Sequence, residues 1–227
     1  MANKKKNSNY VTEKTTAARN AKLSAERRAK SKKTIITVLA IVLAIAVVVG
    51  AVFAIGIPLG MLEYSPEATS HVSITVEGYD DTIHVELYGE DAPESVAKFM
   101  ELVNGKYFNI RSFHTLSGGL LYFGSKTADA GDKGIKGEFA DNGFENKISI
   151  TKGTIVVARG EGYDSGAEQF FVATEDLSDL DGKYAAFARV TSGFEVIEDI
   201  IKNAEIDANG RIVNPPLIKS ISSHDSH

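Results

Sequence analysis

Residues 34–62 of this 227-residue chain carry no charged side chain, and no other stretch restricts its fold so strongly. A helix rising about 1.5 Å per residue needs roughly 20 apolar residues to cross a bilayer core, and this run exceeds that. Apolar on every face, it does not suit the surface of a soluble domain. It is also longer than the roughly 7–15-residue apolar core of a cleaved signal peptide, and it follows a long basic segment. The reading is a transmembrane helix over 34–62.

The charge on either side fixes an orientation. Residues 1–33 hold 11 of the 25 Lys and Arg but 2 of the 30 acids, so the rest of the chain carries 14 bases against 28 acids. A basic flank next to a span marks the cytoplasmic side, which places residues 63–227 outside the cytoplasm. The basic head reads as a topology signal touching anionic lipid rather than a nucleic-acid arm, and its composition predicts a disordered segment. The acidic balance beyond the span argues against nucleic acid as partner. With no cysteine there is no disulfide, lipoprotein site or thiolate metal ligand. The five histidines do not fall at metal-site spacing, and no cofactor-binding motif stands out.

Residues 63–70 read as a short stalk, 71–221 as one folded domain and 222–227 as a disordered tail. Residues 72–76 and 83–88 alternate apolar and polar positions around a turn-rich EGYDDT, which predicts a strand pair. Asp91, Pro93 and Glu94 mark a helix start, Val96, Phe99, Met100 and Val103 fall at helical spacing, and Gly105 ends the helix. From Phe113 to Val190 short apolar runs broken by glycine, including 113–116, 120–123, 148–150, 154–158, 169–172 and 184–190, predict a barrel or sandwich. Ser192 and Glu195 stand at capping-box spacing before Val196, Ile197, Ile200 and Ile201, a second helix, and 217–221 is a closing strand.

That order, with Y107-F, F113-H, I135-KGEF, G153-TIVVARG, S165-GAEQFFV and L180-DGKYAAF, resembles the cyclophilin-type peptidylprolyl cis-trans isomerases over about residues 71–221. The resemblance implies a mainly β fold, a closed eight-stranded antiparallel barrel capped by two helices, here behind a membrane anchor. It also implies an apolar pocket for a proline ring and an isomerase acting without a cofactor. The partners implied are proline-containing segments of exported proteins, met at the outer face of the membrane. Family pocket positions fall on Leu120, Phe123, Gln169, Phe171, Leu180 and Tyr184. Phe171 and Leu180 also fit a barrel core, whereas a buried amide such as Gln169 needs several partners and favours a groove.

The resemblance breaks at the catalytic motif. Thr115 in F113-HTL stands at the family's arginine, and a short neutral hydroxyl cannot replace a cationic donor. Phe123 stands where the family carries a glutamine that grips a peptide carbonyl, and Leu120 replaces an aromatic wall. Arg111 lies four residues from Thr115, about 13 Å along a strand and too far to substitute. Arg159 resembles a position bordering the groove and is the better candidate, although a solvated loop cation fits the same sequence. Two functions follow: an isomerase of reduced efficiency, or a non-catalytic proline-peptide-binding or scaffolding module that kept the fold.

Overall fold

The computed structural model describes residues 64–224. The basic segment 1–33, the span expected over 34–62 and residues 225–227 lie outside the described residues. Among the described residues, no helix is long and apolar enough to cross a membrane.

Strand β1 (Ser70–Val76) buries Val72, Ile74 and Val76, and β2 (Thr82–Leu87) buries Ile83, Val85 and Leu87. This period-two burial is the expected hairpin, in antiparallel register from Ser70↔Leu87 to Thr75↔Thr82. The chain continues through α1 (Pro93–Asn104), β3 (Phe113–Ser117), β4 (Leu120–Gly124), β5 (Thr154–Val157), β6 (Gln169–Ala173) and β7 (Ala185–Ser192). It then forms α2 (Phe194–Asn203), a two-stranded ribbon of β8 (Glu205–Ile206) and β9 (Ile212–Val213), and β10 (Ile218–His224). Residues 148–150, expected as a strand, form a loop whose Ile148 and Ile150 are buried.

Eight strands make one antiparallel sheet in the order β10-β1-β2-β7-β5-β6-β4-β3. It curls into a half-barrel with β3 and β10 as edges, so the expected closed barrel is corrected to an open sheet. The edges meet through a single bridge, Ser112↔Leu217, beside Pro215 and Pro216, and proline has no N–H with which to extend a ladder. β10 runs to His224, whose Nε2 lies 2.8 Å from Ser73 Oγ, itself 3.1 Å from His84 Nδ1. Residues 222–224 are thus strand rather than the expected tail. At the start of the described residues Tyr64 donates to Asp91 Oδ1 at 2.6 Å, which pushes its phenol up to about 12.

The inside of the curl is filled from both helices. Phe99 on α1 is fully buried, with ring centroids 5.2 Å from Phe170 and 5.3 Å from both Phe108 and Phe187. Such tilted and edge-on pairs add to the burial of large apolar area. Val196, Ile197 and Ile200 of α2 join the same cluster.

Neither helix is capped as its sequence suggests. Asp91 is spent on Tyr64, and Ala92 precedes α1 without a side-chain cap. Instead Glu138, 1% exposed, accepts from the backbone N–H of Glu94 and Ser95, both at 2.8 Å, and from Ser95 Oγ at 2.6 Å. A carboxylate at a helix N-terminus meets both the orphan donors and the helix dipole. Ser192 belongs to β7, and Gly193 opens α2 at φ 77°, where a side chain would run into the Thr82 backbone. Gly105 does follow α1, but in a right-handed conformation, while Lys106 takes φ 55°.

Replacing Glu138 by Gln turns one acceptor into a donor facing N–H groups. Charge-assisted bonds of this kind contribute about 1.5–3 kcal/mol each. Glu138→Gln is expected to cost about 2–4 kcal/mol in urea unfolding, well above the roughly 1–2 kcal/mol expected for Ser95→Ala.

Candidate active site

Strands β4 to β7 each have two faces, and the one turned away from the main core carries a second apolar cluster. Phe170 and Val172 point into the curl, while Phe171 and Ala173 point out of it. Leu121 and Phe123 point in, and Leu120 and Tyr122 pack on the outer cluster. A cavity of about 360 Å³ opens on this outer face. Phe171 floors it, with Tyr122 and Tyr184 on either side at ring centroid distances of 5.6 and 5.9 Å. Leu120 lines it from β4, and Leu180 lines it from the 3-10 turn Ser178–Leu180. Burial pushes the Tyr122 phenol above its ordinary value. The result is a slot between aromatic rings suited to a compact apolar ring.

Its polar edge is organised by one carbonyl. Ser125 O accepts Gln169 Nε2 at 2.7 Å and His114 Nε2 at 2.9 Å. Gln169 is thereby oriented, and its Oε1 has no partner among the described residues. Because a carbonyl only accepts, His114 Nε2 must carry hydrogen, so the neutral ring presents Nδ1 as an acceptor. Thr115 Oγ1 lies 2.9 Å from that Nδ1 and so spends its single proton on it. In this state Thr115 can accept from a ligand in the cavity but cannot donate to one. Burial, aided by Lys126 and Arg211, holds His114 below its ordinary value, which favours this neutral arrangement.

Arg159 is a half-buried loop cation with several contacts. Its guanidinium lies 4.7 Å from the Tyr184 ring centroid and 5.1 Å from those of Phe139 and Tyr163. Nε donates to Lys183 O at 3.1 Å and Nη1 to Gly160 O at 3.0 Å. Three rings and two carbonyls fix the group at the cavity wall, and Nη2 keeps its donors. Arg111 instead stacks on Tyr107 at 4.3 Å and does not line the cavity.

Of the residues expected at the pocket, the structure brings together Thr115, Leu120, Arg159, Gln169, Phe171, Leu180 and Tyr184. Phe123 is corrected: it is fully buried in the main core, with ring centroids 5.4 Å from Phe113 and 5.6 Å from Phe170. Leu120 and Phe123 are three apart, and a period-two strand cannot put both on one face. Tyr122 takes the cavity position, a residue that this same alternation would have found. Lys126 and Ala158 also line the cavity, and nothing in their local sequence marks them.

A curled antiparallel sheet, two helices packed inside it and an aromatic slot with an oriented amide on its outer face define a cyclophilin-like protein. The family model for cyclophilin-type peptidyl-prolyl cis-trans isomerase/CLD matches residues 71–223, and the chain belongs to that family. It is 33% identical over 139 residues to a peptidyl-prolyl cis-trans isomerase of Helicobacter pylori, covering 58% of this chain and 81% of that one. The fold is similar to the crystal structure of a cyclophilin-type isomerase of Cryptosporidium parvum, with a TM-score of 0.60 at 20% identity, covering 70% of this chain and 99% of that one. The same Cryptosporidium parvum protein in the presence of the dipeptide Ala-Pro gives 0.59 at 20% identity, covering 69% and 99%.

His114 also ties stability to pH. A base whose folded value lies below its unfolded 6.5 leaves the unfolded chain binding more protons as pH falls. Its contribution is therefore complete above about pH 6.5 and is lost progressively below it. Unfolding free energy is expected to decline between pH 7 and 5, ahead of the loss from Asp164, Asp176 and Asp207, whose lowered carboxyls matter below their ordinary 3.8. Urea titrations at stepped pH check this, and His114→Gln flattens the upper part of the curve.

Proposed function

We propose that the chain isomerises X-Pro bonds in exported proteins at the outer face of the membrane, at a reduced rate, with Arg159 supplying the cationic donor that Thr115 cannot. Amide resonance sets a barrier of about 18–20 kcal/mol, while the cis and trans states of X-Pro differ by only about 0.5–1 kcal/mol. Lowering the barrier requires stabilising the twisted bond without covalent chemistry. As the bond twists, the prolyl nitrogen regains its lone pair, and a fixed donor aimed at it favours the transition state over the ground state. The observation that carries the reading is the Arg159 guanidinium, stacked beside three rings and with unspent donors, at the wall of an aromatic slot. Gln169 Oε1 offers an acceptor to a peptide N–H, and Phe171, Tyr122 and Leu180 surround the ring. Residues 34–62 would hold the domain at the membrane, with the basic head on the cytoplasmic side.

The commitment of the Thr115 proton to His114 favours a second reading, a module that binds proline peptides without turning them over. Exchange NMR on an Ala-X-Pro peptide separates the two. The isomerase reading expects accelerated exchange, reduced on the order of 10²-fold by Arg159→Ala and raised by Thr115→Arg. Peptide resonances that shift on binding while exchange stays at the uncatalysed rate would establish the binding module instead. Protease added to intact cells is expected to cut residues 63–227 and spare 1–33.

A further inference from the structure

The aromatic slot adjoins a second cavity of about 170 Å³, and Thr115 and Lys126 line both. The second cavity is built around His114, Arg211, Ile212 and Pro215. Across the two cavities the charged lining residues are Lys126, Arg159 and Arg211, with no Asp or Glu. Beyond the apolar run the chain has twice as many acids as bases, 28 against 14, so a cleft lined by cations alone runs against its composition. None of the three is in an ion pair among the described residues, where Lys98, Lys147, Lys152 and His71 take the acidic partners.

Arg211 is brought there by fixed backbone. Thr115 and Arg211 form an antiparallel bridge, and Leu116 N–H donates to Gly210 O at 2.8 Å. Asp207, the nearest acid to this turn by sequence, accepts the backbone N–H of Asn209 at 2.8 Å and of Arg211 at 2.9 Å; the Arg211 charge helps to lower its carboxyl, but the two side chains form no ion pair. Lys126 and Arg211 both help to hold His114 below its ordinary value, which places their charges in one neighbourhood. Low-dielectric walls lined by one sign of charge concentrate the opposite sign.

We infer that the site selects acidic proline segments, with a carboxylate one or two residues from the proline seated in the second cavity against Lys126 and Arg211. This rests on the slot being the proline site. The two cavities share Thr115 and Lys126, so a chain that extends from a proline over Phe171 toward Thr115, at about 3.3 Å per residue, runs into the second cavity. Gain from partly exposed pairs is modest, and two of them give a preference of roughly 2- to 30-fold at low salt.

The test is a set of proline peptides with Glu, Gln or Lys at each of the two positions on either side of proline, added to the full chain. Kd is read from peptide shifts and turnover from exchange NMR. Expected is the order Glu tighter than Gln tighter than Lys at one position, with the Glu-to-Lys ratio collapsing toward one in 1 M salt, where the Debye length is about 3 Å. The double variant Lys126→Glu, Arg211→Glu is expected to reverse the order, which a misfolded protein would not do. Equal affinity across the charge series overturns the inference, and accelerated exchange in that case leaves the isomerase reading standing. Charge-ranked binding without acceleration upholds the inference and removes the isomerase reading. Failure of every peptide to bind overturns both.

Discussion

The buried Glu138 carboxylate is the contact on which both faces of the sheet depend. On one side it caps the N-terminus of α1, the helix that carries Phe99 into the curl. On the other, its own neighbour Phe139 is the ring beside which Arg159 stacks, and the Glu138 carbonyl accepts Asn146 Nδ2 at 3.0 Å. A charge taken out of water is tolerated only when fully hydrogen-bonded, and here three donors and a helix dipole supply that. Main core, overlying loop and cavity wall are therefore coupled through one side chain that touches no ligand.

The sheet itself acts as a partition. Along β4 and β6 each residue step moves a side chain between the sealed aromatic interior and the outer cluster that carries the slot, and the backbone between them is common to both. That is why the Phe170–Phe171 pair serves two clusters at once. The floor of the slot therefore shares its backbone with the packed core, which suits a catalyst that must hold a donor in place while the substrate rotates.

Much of this was legible in the sequence, because period-two and helical patterns report burial directly. The hairpin, both helices and the placing of Gln169 and Phe171 on one face follow from residues close together in the chain. What the sequence hid was long-range. Glu138 caps a helix more than forty residues away, and Arg211 reaches Thr115 across most of the domain. The open seam between β3 and β10 depends on two prolines meeting a sheet edge rather than on any local pattern. Phe123 lies outside the slot for a different reason: a family motif fixes its place along the chain, but the pleat of β4, three residues on from Leu120, turns it into the core opposite Phe113.

The pairing of β1 with β10 has a mechanical side. In the antiparallel register His71↔His224 through Val76↔Ile218, the domain's first and last strands lie together, with Ser70 and His224 at the same end. A load applied at those two points would peel the ladder open one pair at a time from that end, rather than shear all its hydrogen bonds at once. The strands of the slot, β4 to β7, lie beyond β2 in the sheet and stay out of that line of force. A tug on the chain ends would therefore spend itself on the hinge-like margin of the sheet before it reached the rings that surround the ligand.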